Sequence, residues 1–371
     1  MAFTNLVKKM NEKSIVACMR DGKAHTKQEL ARLTGLSFPT AGKIVEELAD
    51  GGMLLRLGTA QESPGGRKAE VYRLNPDFAH ILLLFIQENT VYYRICDAMG
   101  AVREEGRKTR EVEQQNMEWQ KGPRSTERRQ ETEQRKEETQ NAELQRKERS
   151  WPGMDELMLE CVKKAVESDG KICAVSAGIP GSVHDGTICC IDGYPGLEGR
   201  NIAAELAAAV GKPAAAGNNM SLVALGMAEI PGQKSGETLV CIHLADTGPG
   251  MGAVVNGKAL QGFSGFQGEV GFMPLYGDEN VQKIAMDGFD KVSPGECLGK
   301  MAACICTVLN PERVICYLER EQSGLAEDIV HSCQKYLPAY AVPRFVFDRN
   351  YREDYFHGLA VTGMELIYGK E

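Results

Sequence analysis

The chain has 371 residues, 43% hydrophobic and 25% charged, with a net charge of −8. That length allows two or three domains with a sizeable core. The composition excludes a disordered or fibrous chain, and the acidic total excludes a protein that coats nucleic acid over its whole surface. The charge is uneven: residues 1–75 hold 12 Lys/Arg against 8 Asp/Glu, and residues 103–150 hold 13 against 12, so the acidity lies in the remainder. A basic head on an acidic body suits local contact with phosphates. Several of the twelve cysteines sit in apolar runs (Cys173, Cys241, Cys304, Cys306, Cys316), as small buried hydrophobes do, and no C-x-x-C pair occurs. There is no signal-peptide pattern and no apolar run long enough to cross a bilayer, so a cytoplasmic protein away from the membrane is expected.

Residues 4–20 predict a first helix with Leu6, Val7, Met10, Ile15, Val16 and Met19 inward. The next stretch, Thr26 to Asp50, organises the head. Thr26 with Glu29 forms a capping box for a short helix whose apolar face is Leu30, Ala31 and Leu33. Gly35 supplies a turn with positive φ. Ser37 then caps a second helix, with Pro39 in its first turn and Ile44, Val45 and Leu48 inward. Gly51 ends it. This is the pattern of a helix-turn-helix, whose second helix presents its start to a DNA major groove. Candidate DNA contacts are Lys27, Ser37, Phe38, Thr40, Ala41 and Lys43.

Met53–Leu57 and Ala69–Leu74 read as two strands, making the head a winged helix. The loop between them holds Gly65, Gly66, Arg67 and Lys68, which can approach phosphates or a minor groove. The head is assigned residues 1–75. His80–Cys96 reads as a strand pair, Asp97–Gly100 as a turn and Val102–Arg110 as a third strand. Residues 111–150 are Glu, Gln, Arg and Lys with almost no apolar anchor, a disordered polyampholyte insert or a lone solvated helix. No chemistry is assigned to it.

Structure resumes with helix Met154–Ser168 and strand Ile172–Ala177, running into Gly178-Ile-Pro-Gly-Ser182. Helix Asn201–Val210, strand Ala214–Gly217, helix Met220–Glu229 and strand Thr238–Ala245 follow. A Gly-rich loop, 246–252, leads into strand Ala253–Val255 and a turn at Asn256-Gly257. Strands alternating with helices and Gly-rich turns predict an α/β body, assigned residues 76–110 and 151–371.

In order, GIPGSV (178–183), EGRNIAAEL (198–206), GNNMSLVALG (217–226), DTGPGMGAVVNG (246–257), GEVGFMPL (268–275) and NPERVI (310–315), behind a winged helix, resemble the ROK proteins (repressors, open reading frames, kinases), and among them the repressor branch. The resemblance covers nearly everything outside 111–150. It implies an N-terminal winged helix-turn-helix followed by a two-lobed body of the sugar kinase and actin-like ATPase fold, with a C-terminal helix, about Asp354–Tyr368, returning to the first lobe.

The kinase members' motifs are degenerate here. The family's Asp-x-Gly-Gly-Thr phosphate loop aligns with Phe85-Ile-Gln87-Glu-Asn89. Its Asn-Asp pair, in which the Asp is the general base, is Asn218-Asn219, and an amide cannot take that proton. The His of its zinc site is Phe272, and the Cys cluster is absent. Only a second Gly-rich loop, Thr247-Gly-Pro-Gly250, remains, and a strand–turn role suits it better than nucleotide binding. Gly181, Asn218, Asn219 and Glu269 keep hydrogen-bonding or close-approach character where the family holds sugars, so they are candidate effector contacts.

The expectation is a sugar-responsive transcriptional regulator, a repressor and not an enzyme, without cofactor or metal. Its partners are double-stranded DNA bearing a palindromic operator, a sugar effector, and a second copy or a tetramer of itself. Two alternatives stand beside it: a sugar kinase with an atypical site, and an interaction module with the 111–150 insert as its arm.

Overall fold

The computed structural model describes residues 2–59, 69–110, 151–228, 236–245, 248–318, 324–348 and 350–368, without the side chains of 2–6. The insert 111–150 and the wing tip with Gly65, Gly66, Arg67 and Lys68 therefore lie outside the described residues.

The head is built as its caps require. Helix α1 (Ala2–Met19) leads to a short strand β1 (His25–Thr26), helix α2 (Lys27–Thr34) and helix α3 (Phe38–Asp50). Thr26 and Glu29 close the expected capping box, Gly35 takes φ +70° between the helices, and the Ser37 hydroxyl accepts the Thr40 N–H. Strands β2 (Leu54–Thr59) and β3 (Glu70–Leu74) pair antiparallel, and β1 adds to β3, giving the order β1-β3-β2. Ile15, Val16, Met19, Leu30, Ala31, Ala41, Ile44, Val45, Leu54, Tyr72 and Leu74 form the core. Two expectations fail here: Leu33, 52% exposed, and Val7 and Met10 face outward. Among the described side chains of α1, Ile15, Val16 and Met19 enter the core.

The body holds two five-stranded sheets. The first runs β4 (His80–Gln87), β5 (Thr90–Asp97), β6 (Val102–Thr109), β7 (Ile172–Ile179) and β10 (Ala214–Asn218), in the order β10-β7-β4-β5-β6, with β10, β7 and β4 parallel. Between β7 and β10 come a small hairpin, β8 (Ser182–His184) and β9 (Thr187–Cys190), and helix α5 (Ile202–Val210); α4 (Met154–Ser168) precedes β7. The second sheet runs β11 (Leu239–Ala245), β12 (Gly248–Val255), β13 (Lys258–Ala259), β14 (Arg313–Tyr317) and β15 (Arg344–Asp348), in the order β13-β12-β11-β14-β15. Helices α7 (Val281–Met286), α8 (Pro294–Leu309) and α9 (Ala326–Gln334) accompany it. The Gly-rich segment expected as a loop is the start of β12: Gly248, Pro249 and Gly250 pair with Ala245, Leu244 and His243, while Thr247 lies outside the described residues.

Alternation along the strands assigns the layers. Leu82, Leu84, Val175 and Ala177 face α4 and α5, whereas Ile81, Leu83, Phe85 and Ala174 face α6 (Asn219–Ala228) and α10 (Tyr351–Tyr368). In the second sheet, Val240, Ile242 and Leu244 face α8, while Leu239 and Cys241 face α6 and α10. The two helices α6 and α10 thus form one layer shared by both sheets. They meet backbone to backbone: a Cβ on Gly226 would lie 2.0 Å from the Asp354 carbonyl oxygen, and one on Gly358 would lie 1.8 Å from that of Leu222. Only hydrogen at both positions permits this crossing.

Candidate nucleic-acid interface and inter-lobe cleft

In the head, the first turn of α3 is the outward-facing end. Ser37, Phe38, Pro39, Thr40 and Lys43 are exposed. Two sequence candidates are corrected. Ala41 is fully buried, because it lies on the same face as Ile44 and Val45, so no groove can reach it. Lys27 is not a projecting charge: its ammonium pairs with Glu46 and lies 5.4 Å from the centre of the Tyr72 ring. Glu46 is also bonded by Arg56 at 2.7 Å, and Tyr72 places its hydroxyl 3.0 Å from it. Arg56 first, then Lys27, holds the Glu46 carboxyl down at about 2. Arg56 bridges on to Asp50 at 2.5 Å, and Lys8 pairs with Glu47 at 2.8 Å. The acidic outward side of α3 is thus neutralised from α1, α2 and β2. These partners were hidden in the sequence because the pairing runs between elements, not at i,i+4.

The second candidate lies where β10 runs into α6. Asn218 donates to the Gly181 carbonyl at 2.9 Å and accepts the Ser221 N–H at 2.9 Å, capping α6 and tying it to the 178–182 loop. Asn219 accepts the Met220 N–H at 2.8 Å and donates to the Tyr351 hydroxyl at 3.4 Å. Gly181 does permit close approach, but its neighbour is the chain itself: a Cβ there would meet the Cys190 carbonyl oxygen at 2.5 Å. Burial, and after it the charge of Asp192, raises the Glu269 carboxyl. Asp192 in turn accepts from Gln282 at 3.4 Å. The His243 imidazole stacks on Tyr351 at 4.5 Å between centroids, and burial lowers it to about 4, so it is neutral at pH 7. His243, Asp192 and Tyr351 were missed by sequence reasoning; no local pattern marks residues that tertiary packing alone brings together.

Phe85, which the resemblance aligns with the phosphate-loop Asp, is fully buried. Its ring stacks on Tyr355 at 4.3 Å and on Tyr92 at 5.1 Å, and meets Phe356 edge-on at 5.1 Å. Tyr355 meets Tyr351 at 5.8 Å, and Tyr351 meets Tyr317 of the second sheet at 5.6 Å. Arg352 and Arg94 lie over Tyr92 and Phe356 at 4.2 and 4.1 Å. A continuous aromatic column therefore bridges the lobes. Beside it Glu88 holds φ +54°, and its backbone hydrogen-bonds the Tyr194 hydroxyl. The Phe85 ring has no oxygen to offer magnesium. Zinc fits no better: Phe272 replaces the imidazole, is 48% exposed and lies against Phe266 at 5.3 Å. Among the described residues no group of three or more His, Cys, Asp or Glu is placed to hold a metal. No described helix is long and apolar enough to cross a membrane.

Against known proteins, the ROK family model matches residues 130–310. No curated protein matches the chain. Among solved structures, a ROK family transcriptional regulator, a homolog of the E. coli MLC protein, is similar over 98% of this chain and 97% of its own, at 15% identity and a TM-score of 0.73. The ROK hexokinase from Thermus thermophilus is similar over 76% of this chain and 97% of its own, at 17% identity and TM-score 0.53. The ROK glucokinase from Streptomyces griseus, in complex with glucose and AMPPNP, covers 77% and 99%, at 14% identity and TM-score 0.53. The regulator spans head and body, whereas the two kinases cover about three quarters of the chain. Residues 130–310 match the ROK family model, and the fold, a three-helix head on a two-lobed body, is similar to that of a solved ROK family transcriptional regulator.

Proposed function

We propose that this protein is a DNA-binding transcriptional regulator, a repressor, whose kinase-like body does no phosphoryl transfer. The observation that carries the reading is the aromatic column through Phe85, set beside a head whose α3 packs one face and exposes its first turn. The functional units are the head 1–75, the body 76–110 and 151–371, and the insert 111–150. Phe38, Thr40 and Lys43 enter a major groove, and the wing with Gly65, Gly66, Arg67 and Lys68 lies over the neighbouring backbone. The body dimerises, and two heads on a two-fold axis read a palindromic operator with half-sites spaced by roughly 10 bp or a multiple. A tetramer would be a pair of such dimers.

A sugar entering between the lobes, near Asn218, Asn219, Glu269 and Gly181, would shift the head spacing by hinge motion. Support comes from the fold, since the Streptomyces glucokinase of the same body holds glucose. Labelled DNA from upstream of the regulated genes should form a complex that survives competitor DNA and weakens steeply with salt. Lys43→Ala and Arg67→Ala should each weaken it and flatten the salt dependence by about one unit of slope. A complex indistinguishable from that with competitor DNA ends the proposal.

The second reading is a sugar kinase with an unusual site, favoured by the similarity to the hexokinase and glucokinase. ADP release with a panel of hexoses and amino sugars decides it. Turnover would overturn the roles given to Phe85 and Asn219.

A further inference from the structure

Between Ser37 and Lys43 the exposed side chains are Ser37, Phe38, Pro39, Thr40 and Lys43. No Arg, Asn or Gln stands among them. Those residues make the planar two-point contacts to guanine or adenine edges; Lys43 is the one further candidate for guanine, but its ammonium is a compact point charge that suits a phosphate. The Ser37 and Thr40 hydroxyls bond each other at 2.8 Å, and Ser37 also caps the helix, so both are partly committed within the protein. The second half of α3 offers no better reader. Its outward residues Glu46, Glu47 and Asp50 are acidic and are held by Lys27, Arg56 and Lys8.

Phe38 remains, 58% exposed, a whole ring held out at the leading turn of a helix whose opposite face is packed. The apolar feature that a major groove offers to such a ring is the 5-methyl group of thymine. Lys43, also exposed on this helix, adds a cation, and the head as a whole is basic. A polyanion complements that surface, whereas a second copy of the same basic head would repel it.

We propose that Phe38 reads a thymine methyl in each half-site, so that this helix takes its sequence preference from thymine methyls and not from a bidentate contact to a purine. The proposal rests on the DNA-binding reading and names the base chemistry within it.

The test uses the full-length protein and duplexes it enriches from a random-sequence pool. Each thymine of an enriched duplex is replaced in turn by deoxyuridine, which removes one methyl and keeps every pairing group. One thymine per half-site should prove sensitive, with affinity falling about fourfold per replacement, the loss that uncovering one methyl corresponds to. With Phe38→Ala the same replacement should cost nothing further, while Phe38→Leu, which keeps an apolar tip, should retain part of the penalty. Enrichment of a defined sequence with no thymine sensitive to methyl loss overturns the proposal and leaves the regulator intact. So does an undiminished penalty in Phe38→Ala. A change in oligomeric state with unaltered methyl dependence would reassign Phe38 to a contact between chains and overturn it as well. If the pool enriches no sequence, the DNA-binding reading itself fails.

Discussion

Glu46 shows how one side chain can organise a small domain. It receives Arg56 from β2 and Lys27 from α2, and it faces the Tyr72 hydroxyl of β3. Its carboxyl sits at about 2, below the ordinary 4.5, so the folded head binds its proton less readily than the unfolded chain does. The sign follows from linkage. The stabilisation is complete above about pH 4.5 and is lost as pH falls towards 2. The difference in melting temperature between the wild type and Glu46→Gln should therefore close across that window, followed by circular dichroism. Because the group is well exposed, the effect on stability should be modest. Ala41 makes the opposite case, an apparently exposed recognition position that is core. Ala41→Leu should cost about 1–3 kcal/mol of stability in urea unfolding, through overpacking, since Ala41 is fully buried among Ile44 and Val45.

At the scale of elements, the crossing of α6 and α10 is the joint of the body. Both sheets pack on this one helix pair, and both helices carry a glycine where they touch. Gly226→Ala would drive a methyl into the Asp354 carbonyl oxygen. We expect a loss of at least about 3 kcal/mol by chemical denaturation. The control is Gly170→Ala, where a Cβ meets nothing within 4 Å, and there the change should stay within roughly 0.5 kcal/mol. Equal effects of the two substitutions would show that the crossing is not the tight point. A single turn of α10 also carries Tyr351 and Tyr355 into the aromatic column, so this joint and the column are one construction.

For the whole molecule, the coupling of head to body falls on few residues. Met99, from the turn after β5, and Tyr368, at the end of α10, pack against the head core. Arg20 lies 5.8 Å from the centre of the Tyr368 ring. The helix whose first residue touches Asn219 in the cleft thus ends on the head. Tyr368→Ala should speed limited proteolysis between residues 75 and 79 while lowering body stability only modestly, since Tyr368 is one partly buried side chain at the edge of the body core. Unaltered cleavage there would mean that other contacts hold the head in place.

Sequence by itself determined what short range physics controls. The Thr26 and Ser37 caps, the Gly35 turn and most elements up to Val255 were legible, because a cap or a turn is decided within four residues, whereas the β8–β9 hairpin and the elements from α7 to β15 were not predicted. The reading of Phe85 and Asn219 as replacements of the phosphate-loop Asp and of the base rests on resemblance alone and belongs to the proposal. Tertiary structure alone decided which face of α3 is free, removing Ala41 from the surface and engaging Lys27 with Glu46. It also turned Gly248–Gly250 from a loop into a strand, since pairing with β11 satisfies backbone groups that a loop would leave to water. It made one aromatic column of Tyr92, Phe85, Tyr355, Tyr351 and Tyr317. Those rings come from β5, β4, α10 and β14, and no local rule links residues more than two hundred positions apart in the chain. Only the shared helix layer between the two sheets brings them together.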